Sequence, residues 1–434
     1  MLLYYLDLAR RSVRNARALS LLMVLTLGLG IGACMTTITV FHVLSGDPIP
    51  HKSARLFDVQ LDASDLVGYR PGEEPTFQLT RFDADTLLRE RRALRQVAMS
   101  GTFLPVRTDS PDVKPVYERS RITSADFFAM FEAPFLRGTG WTAADDESRA
   151  RVAVISRKLG DRLFGDADPV GREILVRGES LRVVGVLADW RPVPHYFDTT
   201  LGAYAPAADL YLPLATALGF GFGTAGNMDC WGNSRGQGPR EPGSPCAWAQ
   251  YWVELASAAD APAFRDYLVQ YSEAQRQAGR FERPPNVRLR NVVDHLVHRE
   301  VLPGDVRLQM WLAFGFLLVC LVNTVGLLLA KSLRRSGEIG VRRALGATRG
   351  AIFRQFLVEA GALGLAGGLL GLALSAIGLW LVRQTPAPYA ALAQMDWTML
   401  GLTLALALAA GLLAGLLPAW HAARVAPAQQ LKTQ

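Results

Sequence analysis

With 434 residues, half of them hydrophobic and a fifth charged, the chain is too apolar for an ordinary soluble protein and too polar for a bundle of membrane helices alone. That mixture excludes a disordered chain, a collagen repeat and a small disulfide scaffold. Forty-six Lys and Arg against 39 Asp and Glu leave a net charge of +7, which suits nucleic acid or the loops of a membrane protein, so the placement of the charges has to decide.

In chain order, residues 1–17 read as a cytoplasmic amphipathic segment carrying Arg10, Arg11, Arg14 and Arg17. Residues 18–44 contain no Asp, Glu, Lys or Arg and exceed the roughly 20 apolar residues that a membrane helix needs. A cleaved signal peptide is the rival reading. The apolar stretch is longer than the usual 7–15 or so residues of such a signal, and no small-x-small cleavage pattern follows it, so it reads as an uncleaved anchor. Residues 45–306 have globular composition and are expected to fold as one extracytoplasmic α+β domain. Strands are expected at Arg55–Leu61 and Val97–Val106 around a helix at Phe82–Arg95. The same order recurs as Trp252–Leu255, a helix at Ala261–Ala278 and Val287–Val292. These two units form an expected α/β lobe, about 50–110 with 248–300. The stretch 111–247 reads as an inserted β-rich lobe, with strands at Val152–Ile155, Glu173–Val176 and Leu181–Val186, short helices near Ala125–Phe131 and Lys158–Phe164, and a Gly-rich loop around Cys230. Three more apolar spans follow at 307–330, 352–382 and 397–420, joined by a loop at 331–351 and a short one at 383–396, with a tail at 421–434.

Basic residues near span ends set orientation. Arg10 to Arg17 precede the first span. Lys331, Arg334, Arg335, Arg342, Arg343 and Arg349 lie between the second and third, and Arg424 and Lys432 follow the fourth. Four crossings put all three clusters on one side, so both termini and the Arg-rich loop are expected in the cytoplasm and residues 45–306 outside it. The arginines are juxtamembrane, without interleaved aromatics, which removes the nucleic-acid reading. Cys34 and Cys320 fall inside spans as small packing residues. Cys230 and Cys246 fall in the outer domain as a candidate disulfide, which would restrain its loop by about 3 kcal/mol in the chain-entropy model.

A search for chemistry finds no catalytic constellation and no metal set. The G-x-x-x-x-G-K-[ST] phosphate loop is missing. Asp294-His295-x-x-His298 beside Glu300 reads as polar surface rather than a metal site, and Asp145, Asp146 and Glu147 as a solvated turn. Glu359 is the main ionisable group within a span; it can snorkel or pair with the Arg-rich loop. Close helix packing is signalled by Gly28-xxx-Gly32, Gly364-xxx-Gly368, Gly367-xxx-Gly371 and Gly411-xxx-Gly415, and Asn323-Thr324 is expected to hydrogen-bond between helices.

One stretch is more specific. Glu338-Ile339-Gly340-Val341-Arg342-Arg343-Ala344-Leu345-Gly346-Ala347, followed by Gln355-Phe356-Leu357-Val358-Glu359-Ala360, resembles the loop and third span of the MacB-like or FtsX-like permease subunits of type VII ABC transporters. The end of the chain is similar to that family's closing pattern at Gly415, Pro418, Ala419, Ala422, Ala423, Pro427 and Leu431. Val154-Ile155-Ser156, Leu163-Phe164-Gly165 through Gly171 and Val183-Val184-Gly185-Val186 resemble its outer domain. The resemblance implies a multi-pass protein of the bacterial inner membrane, working as a dimer with an identical or homologous permease. Two copies of an ATPase subunit would bind the ATP and Mg, with no cofactor in this chain. It implies transmission of ATP-driven closure to the outer domain for export, with a periplasmic adaptor as a further candidate partner. The alternative is an FtsX-like signalling subunit that activates a cell-wall hydrolase, or a lipoprotein-releasing permease. With about seventeen residues before the first span, the ATPase is expected on a separate chain. The expected contact with it is Glu338, Ile339, Gly340, Arg342, Arg343, Leu345 and Gly346, with Ile339 and Leu345 as apolar anchors.

Overall fold

A computed structural model describes residues 16–109, 114–234, 236–302, 304–386 and 389–424. Arg10, Arg11, Arg14 and Lys432, expected to flank the spans, and the closing residues Pro427 and Leu431 lie outside them. The chain divides into two compact units, one built from the residues up to Ser45 and from Leu302 onward, the other from Gly46–Val301.

The first unit opens with α1 (Arg17–Ser45), the expected first span. The inserted domain then begins with β1 (Leu56–Leu61), β2 (Leu79–Thr80), α2 (Arg81–Glu90) and β3 (Arg95–Arg107). Thr80 starts α2 by accepting the Asp83 N–H. The helix was expected to reach Arg95, but it stops at Glu90. Arg91 turns left-handed (φ 49°) and donates its N–H to the Leu87 carbonyl, which closes the last turn. The middle of the domain holds β4 (Val116–Thr123), α3 (Phe127–Met130), β5 (Phe135–Gly138), α4 (Ala143–Glu147), β6 (Val152–Ser156), α5 (Arg157–Phe164), β7 (Glu173–Val176), β8 (Glu179–Leu187), β9 (Leu210–Pro213) and α6 (Leu214–Gly219). It closes with β10 (Asp229–Cys230), β11 (Cys246–Glu254), α7 (Ala261–Gln277), β12 (Val287–Asn291) and α8 (Val292–His298).

The two lobes expected from the sequence share one sheet. Its main path runs β12-β1-β11-β3-β4-β9-β6-β8-β5, so β3 and β4 carry the hydrogen-bond ladder from the first lobe into the second. Most pairs are antiparallel, but β4 with β9 and β6 with β8 are parallel. Alternation along each strand feeds two cores. Phe57, Val59 and Leu61 join Ala98, Val106, Tyr251 and Val253 on one face. Leu56 joins Val97, Met99 and Trp252 on the other. The second core is aromatic: the Phe127 ring lies 5.1–6.0 Å from those of Phe131, Trp190, Phe197 and Tyr211, mostly edge to face. Buried charges in this domain are paired, as Arg121 with Asp198 at 2.9 Å and Lys52 with Glu254 at 3.0 Å.

Three polar expectations change. The stretch around Cys230 was expected to be loop, yet β10 pairs with β11 and sets Cys230 opposite Cys246, where the two form the disulfide. Asp145 is solvated and closes a capping box with Thr142, its carboxylate accepting the Thr142 N–H while the Thr142 hydroxyl accepts the Asp145 N–H, but Asp146 is not free in water. It accepts the Ala125 N–H at 2.6 Å and the Trp141 indole N–H at 2.9 Å, and burial pushes its carboxyl up to about 6. His295 was assigned to polar surface. It is instead buried, with Nδ1 3.1 Å from Asp58, because α8 lays one face on β1, while His298 points outward.

The first unit resumes with α9 (Gly304–Arg334), α10 (Ser336–Ala344), α11 (Arg349–Arg383) and α12 (Trp397–Arg424). With α1, the helices α9, α11 and α12 are, among the described residues, the four segments long and apolar enough to span a membrane. Their glycines let backbones touch. A Cβ built at Gly411 would stand 2.7 Å from the Gly364 Cα, and one at Gly28 would stand 2.7 Å from the Leu370 side chain. Gly32 meets Leu374, Gly368 meets Ala407, and Gly415 meets Ala360 in the same way. The signalled glycine faces are therefore used within the chain, α1 on α11 and α11 on α12. Asn323 lies on the exposed face of α9 and so joins no two helices of this chain; its neighbour Thr324 is buried and donates to the Cys320 carbonyl of its own helix at 2.8 Å. Gly411→Leu is expected to force α11 and α12 apart and lower the melting temperature in mild detergent, an overpacking cost of about 1–3 kcal/mol. Gly401→Leu, on the same helix with nothing within 4 Å of its Cβ position, is expected to melt like wild type. Equal melting of the two variants would remove the glycine contact as a determinant of the bundle.

Candidate functional site

The segment between the second and third spans was expected to be a loop, but nine of its residues form α10. Gly337 and Gly340 each cost a helix about 1 kcal/mol relative to Ala, so its propensity is poor. Side chains one turn apart offset that. Glu338 pairs with Arg342 at 2.6 Å and with Arg335 at 3.1 Å. The C-terminus is closed by backbone geometry. Gly346 is left-handed (φ 97°), its N–H donates to the Arg343 carbonyl at 3.2 Å, and the Ala347 N–H donates to Arg342 at 3.0 Å. This is a Schellman turn, which assigns Gly346 to ending α10. Thr348 then caps α11 by accepting the Ala351 N–H.

α10 has two unlike faces. Ile339 and Gly340 are buried, with Ile339 packed among Ile352, Phe356, Ala419 and Ala422 of α11 and α12. Ile339 was expected to anchor an ATPase, and the structure corrects this, since its side chain is consumed inside the chain. On the opposite face Val341 and Leu345, spaced i and i+4, are exposed, Leu345 at 84%.

Behind the buried face runs a connected set of charges. Glu359 of α11, 2% exposed, stands 2.6 Å from Lys331 of α9 and 3.5 Å from Arg335. Lys331 also donates to the Ser20 hydroxyl of α1 at 3.2 Å. Arg335 continues to Glu338, Glu338 to Arg342, and Arg342 donates to Gln355 of α11 at 3.2 Å. The network ties α1, α9, α10 and α11 together where an unpaired charge would be very costly. Of the two outcomes open to Glu359, pairing with the basic segment is the one adopted. Lys331 and Gln355 were not singled out as its members. The signal available was a basic span end followed by an acid two turns into the next span. Among the described residues no group of three or more His, Cys, Asp or Glu side chains is placed to hold a metal.

Residues 20–271 match the family profile described as the MacB-like periplasmic core domain, and residues 310–427 match the FtsX-like permease C-terminal. The chain belongs to the MacB-like, FtsX-like family of ABC transporter permeases. It is 28% identical over 313 residues to the pyoverdine export ATP-binding/permease protein PvdT of Pseudomonas aeruginosa, covering 72% of this chain and 42% of that protein. It is 26% identical over 270 residues to the macrolide export ATP-binding/permease protein MacB of Bdellovibrio bacteriovorus, covering 60% of this chain and 34% of that one. The chain thus spans less than half the length of these two relatives. The periplasmic region of MacB from Actinobacillus actinomycetemcomitans aligns with 60% of this chain at 13% identity and a TM-score of 0.38, over 98% of that structure. Membership makes the inserted domain the periplasmic core domain of a MacB-like permease, and α10 lies within the FtsX-like range.

Proposed function

We propose that this chain is the permease subunit of an ABC transporter and carries force from an ATPase on a separate chain to its periplasmic domain, for export. The observation that carries this reading is the asymmetry of α10. Its inner face packs Ile339 on α11 and α12 and bonds Arg342 to Gln355 of α11, while its outer face offers exposed Val341 and Leu345. A docking element needs such a pair of faces, one gripped by the moving body and one free for the partner. In this reading ATP and Mg are bound by two copies of the partner ATPase. PvdT and MacB are both named as export proteins, which favours export over the signalling alternative. In this reading the protein sits in the bacterial inner membrane with both termini and α10 cytoplasmic. A second permease, identical or homologous, completes the complex, and a periplasmic adaptor is a further partner. Displacement of α10 passes through Arg335 and Glu359 to α9 and α11, and from α9 along the chain into the periplasmic domain.

Two measurements test this. The chain purified from its native membranes in mild detergent is expected to bring ATP hydrolysis with it, carried by a second polypeptide; a preparation without that polypeptide or that activity would refute the proposal. Cysteine labelling tests the orientation on a quiet background, since Cys34 and Cys320 are buried and the other two cysteines are bridged. In cells with a permeabilised outer membrane, an impermeant maleimide is expected to label Ser148→Cys and to leave Ala344→Cys unlabelled until lysis. The reverse pattern would overturn the orientation.

A further inference from the structure

The span α9 uses one side of its surface within the chain. Leu317, Cys320, Thr324 and Leu328 are buried there, and Gly30 of α1 closes on Cys320 and Leu317. The opposite side carries Gly315, Val319, Val322, Asn323, Gly326 and Ala330. Their spacing of three and four residues sets them in one stripe along the helix, and all six are exposed. No part of the proposed ATPase coupling uses this stripe.

Asn323 is out of place on a surface that faces lipid. It stands eight residues before Lys331, about 12 Å into the span at roughly 1.5 Å per residue, where no water satisfies a polar group. Among the described residues its side chain has no hydrogen-bond partner, whereas the neighbouring Thr324 donates to the carbonyl one turn back. The rest of the exposed side from Trp311 to Ala330 is apolar or glycine, so no polar path leads water to the amide. The glycines beside it point the same way. Gly28, Gly32, Gly364 and Gly411 are each met by a neighbouring helix of this chain, but a Cβ built at Gly315 or Gly326 would find nothing within 4 Å. Gly401 is open too, but its helix carries no amide side chain.

We propose that a second copy of the chain packs on this stripe of α9, with the two Asn323 amides hydrogen-bonded to each other. This rests on the paired-permease reading above and adds the surface and the identity of the second chain. Two copies inserted in the same orientation are related by a two-fold axis along the membrane normal, which sets the stripe against its own image. A group that meets its own image must be self-complementary. An amide is, because it holds donors and an acceptor; a carboxylate or an ammonium is not. Gly315 and Gly326 let the two backbones approach closely enough for the amides to meet. Lipid chains would fill the glycine notches but leave the amide without a partner, at a cost in free energy.

The test uses the full chain, in native membranes and in liposomes. On oxidation of the membranes, Val319→Cys and Val322→Cys are expected to cross-link into a species of twice the mass. Phe314→Cys, on another side of α9, and Leu369→Cys, exposed on α11, are expected to stay uncross-linked. In liposomes, energy transfer between labelled copies is followed as added lipid dilutes the protein. Asn323→Leu and Gly326→Leu are each expected to weaken association about tenfold, and Asn323→Gln, which keeps the amide, to lose less. All three are expected to insert like wild type, because these positions face away from the other helices of the chain. Cross-linking from Phe314→Cys or Leu369→Cys in place of the two valine positions, or wild-type association of Asn323→Leu, would overturn pairing through α9 and leave a paired permease standing. A chain that stays monomeric in liposomes, with a different permease recovered beside it from native membranes, would overturn pairing with a second copy and leave the transport reading intact.

Discussion

Glu359→Ala is expected to destabilise the four-helix unit by about 3–5 kcal/mol, the usual cost of stripping one partner from a buried ion pair. Lys331 is 3% exposed and would keep, among the described residues, only the Ser20 hydroxyl. Arg335 would lose its inward partner and keep Glu338. The readout is the melting temperature in mild detergent, which should fall by several degrees. The companion variant Lys331→Met/Glu359→Met separates charge from packing. Replacing both members of a buried pair with apolar groups of similar size is often neutral or better, so this double variant is expected to recover most of the loss. Its stability should nonetheless come without coupling, since the Lys331–Glu359 ion pair no longer joins α9 to α11 at this depth. Wild-type melting of Glu359→Ala would mean that water reaches the pair and the network does not bind the helices together.

The parts of this architecture that were legible are those written in local composition. Each span is a stretch almost free of charge, and α1, α9, α11 and α12 differ from the expected bounds by a few residues. Strands β6, β7 and β8 show apolar runs bounded by turn residues, including left-handed Arg177 and Gly178, and were visible for that reason. The first half of β11 was missed because Cys246-Ala-Trp-Ala-Gln does not alternate, being buried on both faces. The single sheet was not legible either. It depends on parallel pairing of β4 with β9, strands separated by most of the expected inserted lobe, and no local pattern encodes such a partner.

The coupling segment shows the same division. Its charges and its apolar residues are evident in the sequence, but which face each occupies is not. Two glycines in nine residues mask the helical period, and the partners that bury Ile339 include Ala419 and Ala422, some 80 positions later. The glycine pairs were legible as close-packing signals, while their spacing left open whether the contact is within or between chains. Gly364 against Gly411 and Gly28 against Leu370 resolve it for these residues within the chain.

Leu345→Asp is expected to leave the fold intact and to abolish coupling. Leu345 is 84% exposed at the end of α10, so a carboxylate there is solvated and costs the monomer little. Its backbone still supplies the N–H to the Val341 carbonyl that closes the helix. At an interface the same change is severe, because a few buried apolar anchors carry most of the binding energy and a charge in their place must be desolvated. Wild-type membrane insertion and melting are expected, with at least a tenfold loss of ATPase binding or of ATPase stimulation in the reconstituted complex. Ile339→Asp is the contrast. That side chain is buried against Ile352, Phe356 and Ala419, so the substitution should lower the melting temperature first and impair coupling only as a consequence. The arginines of the segment remain in both variants, which keeps their attraction for anionic lipid, about 1 kcal/mol each, out of the comparison. Wild-type ATPase binding and coupled activity in Leu345→Asp would remove α10 as the docking element and leave its basic residues as lipid anchors alone.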